Sequence, residues 1–495
     1  MLVSDSVAVN IVTLAIKTVK AGIKAVSECK KKHAYIPKYY QYPDRILKGF
    51  EDKEEYSDIV KKCDIFKYGI PFFRMSQYND YYNYGALFTS YEGHDNIFCP
   101  MLDGFNELLV AIQEDSQAKS RFAENEDNLQ NALISFIRNI VNRYFYITDA
   151  SAELEIDESI VKKLVFQQLD RLIDTNLNVH ICIPICCVVF DCEDIKITDT
   201  ISICKMSEDF QTSRFNASRF ESTPECNYSQ CASFMIRLDN YSFDNKSKDT
   251  FHFVTKDPRA FPITVINDLF AAIRIVTGVK TGYGQLLIEP TNWAEKWTGN
   301  LLPVYGTNSL AFNRNDAKLS IFEYGITVIN QPEIDSIRDV FTTIQANREK
   351  GKNTLFNKVF IAVERLNRCM LREEDDDTSL DAIIGIETLL SGDTRGEITY
   401  TISNRMAVVA AKTNECPYSA ADARKEMKKI YSFRSSIVHG RDTQKSNKVN
   451  IGEERLQTTE LAINFLRYSL LFIIRNQEYL DVKEFEKAID EALVN

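Results

Sequence analysis

YSFRSSIVHGRD, residues 431–442, closes a helix. Upstream of it Ala423, Met427, Ile430 and Tyr431 recur every three or four residues, the period of one helix face. Ser419 and Asp422 give that helix an SxxD start, and Gly440 lies where a helix stop belongs. Downstream, a polar loop over 442–452 leads to a long apolar helix over 453–478. Its stripe is Leu456, Ile463, Leu466, Leu470 and Ile473, and a short amphipathic helix over 482–493 follows.

Working back from the same stretch, EITYTISNRMAVVAA (397–411) carries Ile398, Ile402, Met406 and Val409 on one stripe with Arg405 beside it. DAIIGIETLL (381–390) is another helix, with a TxxD start at Thr378 and Asp381 and a stop at Gly392. The acidic run EEDDD (373–377) reads as a solvated connector. Before it come a helix over about 354–372 and one opened by Pro332 and Glu333. Residues 331–495 therefore read as an all-α bundle forming its own domain.

Residues 178–330 read as a β-rich domain. VHICIPICCVVF (179–190), IKITDTISICKM (195–206), SFMIRLD (233–239), FHFVT (251–255), QLLIEP (285–290) and LSIFEYGI (319–326) are its expected strands. A helix over 263–277 interrupts them, and the polar stretch 212–230 reads as an exposed loop. Residues 1–177 are mixed. Val7, Ile11, Leu14, Ala15 and Val19 fit an amphipathic helix, and further helices are expected over 128–148 and 157–174. The tyrosine-rich segments 35–44 and 78–85 suit either packing at a contact or stacking on nucleic-acid bases. The expected fold class is thus α+β and multidomain, with a mixed, β-rich N-terminal region before an all-α C-terminal bundle.

The chain carries 59 Lys and Arg against 70 Asp and Glu, a net charge of −11. The whole surface is not built for nucleic acid, so a polyanion site has to be a local patch. One exists. Residues 424–448 hold eight basic residues against two acidic ones, among them Lys425, Lys428, Lys429, Arg441 and Lys445. Those lysines suit an RNA backbone or a plain solvated helix face. Twelve cysteines without dense regular spacing fit a reducing, cytoplasmic setting. The cluster Cys182, Cys186, Cys187, Cys192 and Cys204 has no CxxC partner and reads as buried structural thiols. No transmembrane span or signal peptide is expected, because Lys17, Lys20 and Lys24 interrupt the apolar N-terminal stretch.

Of five histidines, His439 has the most informative surroundings. It follows Arg434 in an R-x4-H pattern at a helix end. Histidine moves protons near neutral pH, and arginine grips phosphate with two parallel hydrogen bonds. Those are the needs of RNA cleavage by its own 2′-hydroxyl, which requires a base, an acid and positive charge on the phosphorane. In an unbroken helix the two residues lie about 140° apart around the axis. Either the helix ends between them or a second copy completes the site. Glu387 and Arg405 are polar positions on apolar helices. They line the cleft beside the pair, or they form a buried ion pair with each other.

The words LDAIIGIETLLSG, ISNRMAVVAA and YSFRSSIVHGRD resemble the HEPN superfamily, in particular its Apea-like branch, over about residues 380–479. The resemblance implies a metal-independent endoribonuclease of an antiviral, abortive-infection or toxin-like system. It implies Arg434 and His439 as the catalytic pair, no cofactor, and a homodimer with two motifs facing one cleft. It also places Ser435 and Arg441 in the site's surroundings. Ser435 stands where active members often carry Asn, Asp or His, and Arg441 stands where some toxins carry a tyrosine. The N-terminal two thirds are then expected to restrain the nuclease or to sense a trigger such as a phage protein. The competing expectation is a catalytically degenerate scaffold for dimerisation, nucleotide binding or partner binding.

Overall fold

The computed structural model describes residues 5–46, 62–89, 96–123, 126–148, 155–217, 228–245, 255–319, 323–351, 355–392, 398–440, 447–451 and 454–494. Four helices organise the N-terminal part: α1 (Asp5–Lys31), α2 (Phe105–Glu114), α3 (Glu126–Thr148) and α4 (Glu158–Ile173). Ile11, Ala15, Val19 and Ile23 of α1 meet Leu133, Ile137 and Ile140 of α3 and Leu164 and Val165 of α4 in one core. Asp157 starts α4 by accepting from the amides of Ser159 and Ile160.

The middle of the chain builds a six-stranded sheet: β1 (Asn176–Ile185), β2 (Asp194–Lys196), β3 (Ile201–Lys205), β4 (Phe234–Asp244), β5 (Tyr283–Pro290) and β6 (Tyr305–Ala311). The spatial order is β6-β5-β1-β4-β3-β2, with antiparallel pairing throughout. Helix α5 (Glu208–Ala217) lies between β3 and β4 in the chain, and α6 (Ile263–Thr277) between β4 and β5.

Several expected strands fall differently. The run 179–190 is not one strand, because β1 ends at Ile185 and Cys187 turns the chain with φ +62°. Val188–Phe190 then pairs in parallel with Thr327–Ile329. Residues 195–206 are two strands, since the polar step at 198–200 bends them into a hairpin closed on the Ile201 carbonyl. Around 319–326 the described residues form no strand, and the strand falls at Thr327–Ile329. Phe251–Val254 of FHFVT, with His252, lie outside the described residues, as does His94. The stretch 212–230 is no exposed loop where it is described. Helix α5 runs into it, and Arg214 is buried, donating to Gln211 (2.6 Å), the Ser229 carbonyl (2.9 Å) and Gln285 (2.7 Å). Polar side chains satisfied by one another carry no hydrophobic signal.

The C-terminal part comprises α7 (Gln331–Glu349), α8 (Asn357–Leu371), α9 (Asp375–Leu390), α10 (Ile398–Lys412), α11 (Ala420–Val438), α12 (Thr458–Arg475) and α13 (Lys483–Val494). Asn330 and Glu333 close a reciprocal capping box on α7. Helix α9 packs on α8 and on the central α12, and α10 packs on α11. The region is not all-α. A hairpin of β7 (Lys448–Ile451) and β8 (Glu454–Gln457) takes part of the expected loop and the first residues of the expected helix, burying Val449 and Ile451. Nor do Asp375–Asp377 form a connector. They are the first turn of α9, where negative charge suits the positive end of the helix dipole. Thr378 and Asp381 consequently sit inside that helix. Thr378 bonds back to the Glu374 carbonyl, and buried Asp381 pairs with Arg365 (2.5 Å) and Arg372 (3.1 Å).

The apolar core does not respect the boundary expected at residue 331. One cluster runs from the sheet through α6 into the bundle, joining Ile181, Ile236 and Leu286 to Ile337, Leu366, Ile386 and Phe465. Polar ties reinforce the join: Asp268 of α6 to Arg348 of α7 (2.7 Å), and Arg274 of α6 to Asn367 of α8 (2.6 Å). Gly278 ends α6 at φ +70°, and a Cβ there would fall 1.8 Å from the Arg467 guanidinium of α12. No helix among the described residues is long and apolar enough to cross a membrane.

Candidate active site

Helix α11 starts as its sequence dictates: Ser419 Oγ accepts from the Asp422 amide (3.1 Å) and donates to the Asp422 carboxylate (2.6 Å). It buries Ala423, Met427, Ile430, Tyr431 and Phe433. The helix does not end between Arg434 and His439. It continues through Val438, and His439 is the C-terminal cap, its amide donating to the Ser435 carbonyl at 3.1 Å. Gly440 follows at φ +62°. The two candidate residues therefore keep helical spacing, about 7.5 Å apart along the axis and about 140° around it.

Arg434 is half-buried and held on the side facing α9. Its Nη1 lies 3.5 Å from Glu387 Oε1, and its guanidinium carbon lies 5.9 Å from the centre of the Tyr431 ring. Tyr431 donates its hydroxyl to the same Glu387 oxygen at 2.5 Å. Burial first, and then that hydrogen bond, push the Tyr431 phenol well above its usual range, so it remains a donor. Arg434 Nε is buried and has no hydrogen-bond partner among the described residues. Glu387 thus serves as a shared anchor for a phenol and a guanidinium. Periodicity alone places Tyr431 in the core. The available signal was its spacing three residues before Arg434, which places both on one helix face.

His439 and Ser435 are exposed, and Val438 beside them is 60% exposed. His439 makes no side-chain hydrogen bond with another described residue. Within one copy, then, the anchored cation and the exposed imidazole are not brought to a common face.

Arg405 is placed elsewhere. It is fully buried, donates Nη1 to the Leu390 and Ser391 carbonyls (2.7 and 2.8 Å), and pairs Nη2 with Glu486 of α13 (2.6 Å). It caps the end of α9 and ties it to the last helix, and its carboxylate partner is Glu486 rather than Glu387. Gly392, at φ +64°, makes room for this guanidinium, whose Nη1 would lie 3.1 Å from a Cβ there.

The basic patch is thinner than its sequence count. Glu426, with 1% of its side chain exposed, takes Lys429 at 2.7 Å and Lys425 at 3.7 Å. Arg424 lies over the Tyr400 ring at 5.8 Å. Lys428 points to solvent, and Arg441 and Lys445 lie outside the described residues.

Elsewhere, Cys182, Cys186 and Cys187 are buried, Cys192 and Cys204 are half-buried, and burial pushes the Cys186 thiol up to about 12. No group of three or more His, Cys, Asp and Glu among the described residues is placed to hold a metal ion. The tyrosine segments are divided. Tyr42 is buried and stacks on Tyr81 at 3.9 Å, and Tyr39 accepts from Asn142 (2.5 Å) and the Gly299 amide (2.9 Å). Tyr35, Tyr40 and Tyr78 are exposed.

No family model matches the chain, and no curated protein or solved structure matches it either.

Proposed function

We propose that the protein is a metal-independent endoribonuclease of the HEPN type, acting as a homodimer. Arg434 holds the scissile phosphate and its developing charge. His439 moves the proton between the 2′-hydroxyl and the leaving 5′-oxygen, giving a 2′,3′-cyclic phosphate. The observation that carries this reading is the fixed guanidinium of Arg434, held by Glu387 over Tyr431, on the same helix as an exposed imidazole at His439 that makes no side-chain hydrogen bond with another described residue. A solvent-accessible imidazole more than one turn beyond a positioned cation on the same helix is an arrangement that core packing does not require. The angular separation of the two residues gives the second copy its role: His439 of one protomer faces Arg434 of the other. The N-terminal region and sheet act as the part that restrains the nuclease or answers a trigger, in an antiviral or toxin-like setting. The second reading, a degenerate scaffold, is favoured by one observation: Glu387 already engages Arg434.

The deciding experiment incubates the full chain with total RNA in EDTA, wild type beside His439→Ala and Arg434→Ala. Metal-free cleavage leaving cyclic phosphate ends, lost in both variants, is expected. If wild type and both variants behave alike, in the tube and in cells under phage challenge, the catalytic reading is wrong and the scaffold reading stands.

A further inference from the structure

A cleft of about 1250 Å³ opens where the N-terminal helices meet the sheet, far from a mere packing defect in size. Helices α3 and α4 form one wall, and the segment 294–308 forms the other. Among the described residues four cations line it, Arg121, Arg171, Lys256 and Lys296, with one carboxylate, Glu295. That balance is opposite to the chain's net charge of −11.

The cations are of two kinds. Arg171 is buried and fixed, donating to Asn245 (2.9 Å) and pairing with Glu295 (2.6 Å). Lys256 and Lys296 are exposed and form no ion pair with another described residue. Arg121 donates to the Asn245 carbonyl, and burial and then the Arg171 charge lower its pKa while Asp244 acts in the opposite direction. Like charges crowded beside a cavity favour an anion within it.

A second observation concerns the polarity of the wall. Gln168 is buried, its amide nitrogen donates to the Glu295 carbonyl (3.3 Å), and its Oε1 has no hydrogen-bond partner among the described residues. A carbonyl only accepts, so that bond fixes the amide's orientation, and the atom left over is an acceptor. An inorganic anion has little to donate to it. An N–H-bearing ring does. Close by, Phe122 and Phe136 meet edge to face at 5.7 Å and supply an apolar surface within the same cleft.

We propose that this cleft binds a nucleotide-class ligand, with its phosphates on Lys256, Lys296 and Arg121 and its base toward Gln168 and Phe136. The site is independent of the ribonuclease reading and needs no cleavage to be detected. It sits across the seam between two cores, so its occupant touches both.

The test is calorimetric titration of the full chain in EDTA with ATP, the dinucleotide pApA, inorganic triphosphate and a hexaglutamate peptide. Saturable binding of ATP or pApA, weakened by salt and tighter than triphosphate, is expected. The Lys256→Ala/Lys296→Ala double variant changes only exposed side chains and should lose at least about tenfold in affinity, since each lysine gives up a charge-assisted hydrogen bond. Gln168→Leu, checked for an unchanged melting temperature, should weaken the nucleotides and leave triphosphate alone. The proposal is overturned if no probe binds, if triphosphate equals the nucleotides, or if only the peptide binds. It is equally overturned if nucleotide affinity is unmoved in the double variant and falls instead in Arg434→Ala, which would place binding at α11.

Discussion

Glu387→Gln removes one negative charge and keeps the side chain's shape. Two interactions feel the change: the Tyr431 hydroxyl at 2.5 Å and the Arg434 guanidinium at 3.5 Å. The amide oxygen still accepts from Tyr431, so that hydrogen bond survives in weaker form. The ion pair does not survive, but its side chains are 36% and 23% exposed, and water screens such a pair to at most about 1 kcal/mol. The loss of stability should therefore stay near 1 kcal/mol, read as a shift of the urea midpoint. Cleavage is affected differently. If Arg434 works through its position, releasing it should lower kcat by about tenfold, or about 1.4 kcal/mol, with KM little changed. In an Arg434→Met background the Glu387 change should then cost nothing further. Single-turnover cleavage of a defined RNA on all four proteins measures this cycle. Additive losses, or an activity loss that only follows the fraction unfolded, would refute a positioning role for Glu387.

Arg405→Met should destabilise the fold by about 3 kcal/mol, because two charge-assisted bonds to helix-end carbonyls vanish inside the protein. Glu486→Gln should cost under about 1 kcal/mol, since that side chain is 59% exposed. Urea midpoints check both, and cleavage per folded Arg405→Met molecule should equal wild type. Burial, with help from Asp174, pushes Asp170 up to about 6, above the ordinary carboxylate value in the unfolded chain. The native state then binds more protons between about pH 4 and 6, so stability falls as pH rises through that window. Asp170→Asn should flatten this slope and raise the melting temperature at pH 7. An unchanged profile in melting scans from pH 4 to 7 would rule out this source.

Helix α6 and the strong stripes of α3 and α4 were legible in the sequence because their apolar spacing is long and regular. The cap at Ser419 was legible because its side chain acts within three residues. What escaped has a common physical cause. Arg214 and Gln285 satisfy one another by a hydrogen bond across 71 residues, so neither looks like core when read locally. Cys187 adopts a left-handed backbone that its identity does not announce, and one apolar run becomes two strands there. The edge strand β6 is half-exposed, and YGTNSLA lacks alternation. At the candidate site, Arg434 and His439 stand out by spacing, whereas Arg405 looked like their neighbour only because chain order hides Glu486, 81 residues away. The cleft beside Arg121 and Lys296 was invisible for the same reason. Its walls come from segments that are far apart in the chain.

The seam at α6 has an evolutionary side. With Ile266, Leu269 and Phe270 sharing a core with α7, α8 and α12, the bundle is not a cassette that recombination could pass intact to another protein. Cut at residue 331, it would present a wet apolar face and aggregate. A substitution on α6 is therefore answerable to sheet and bundle together.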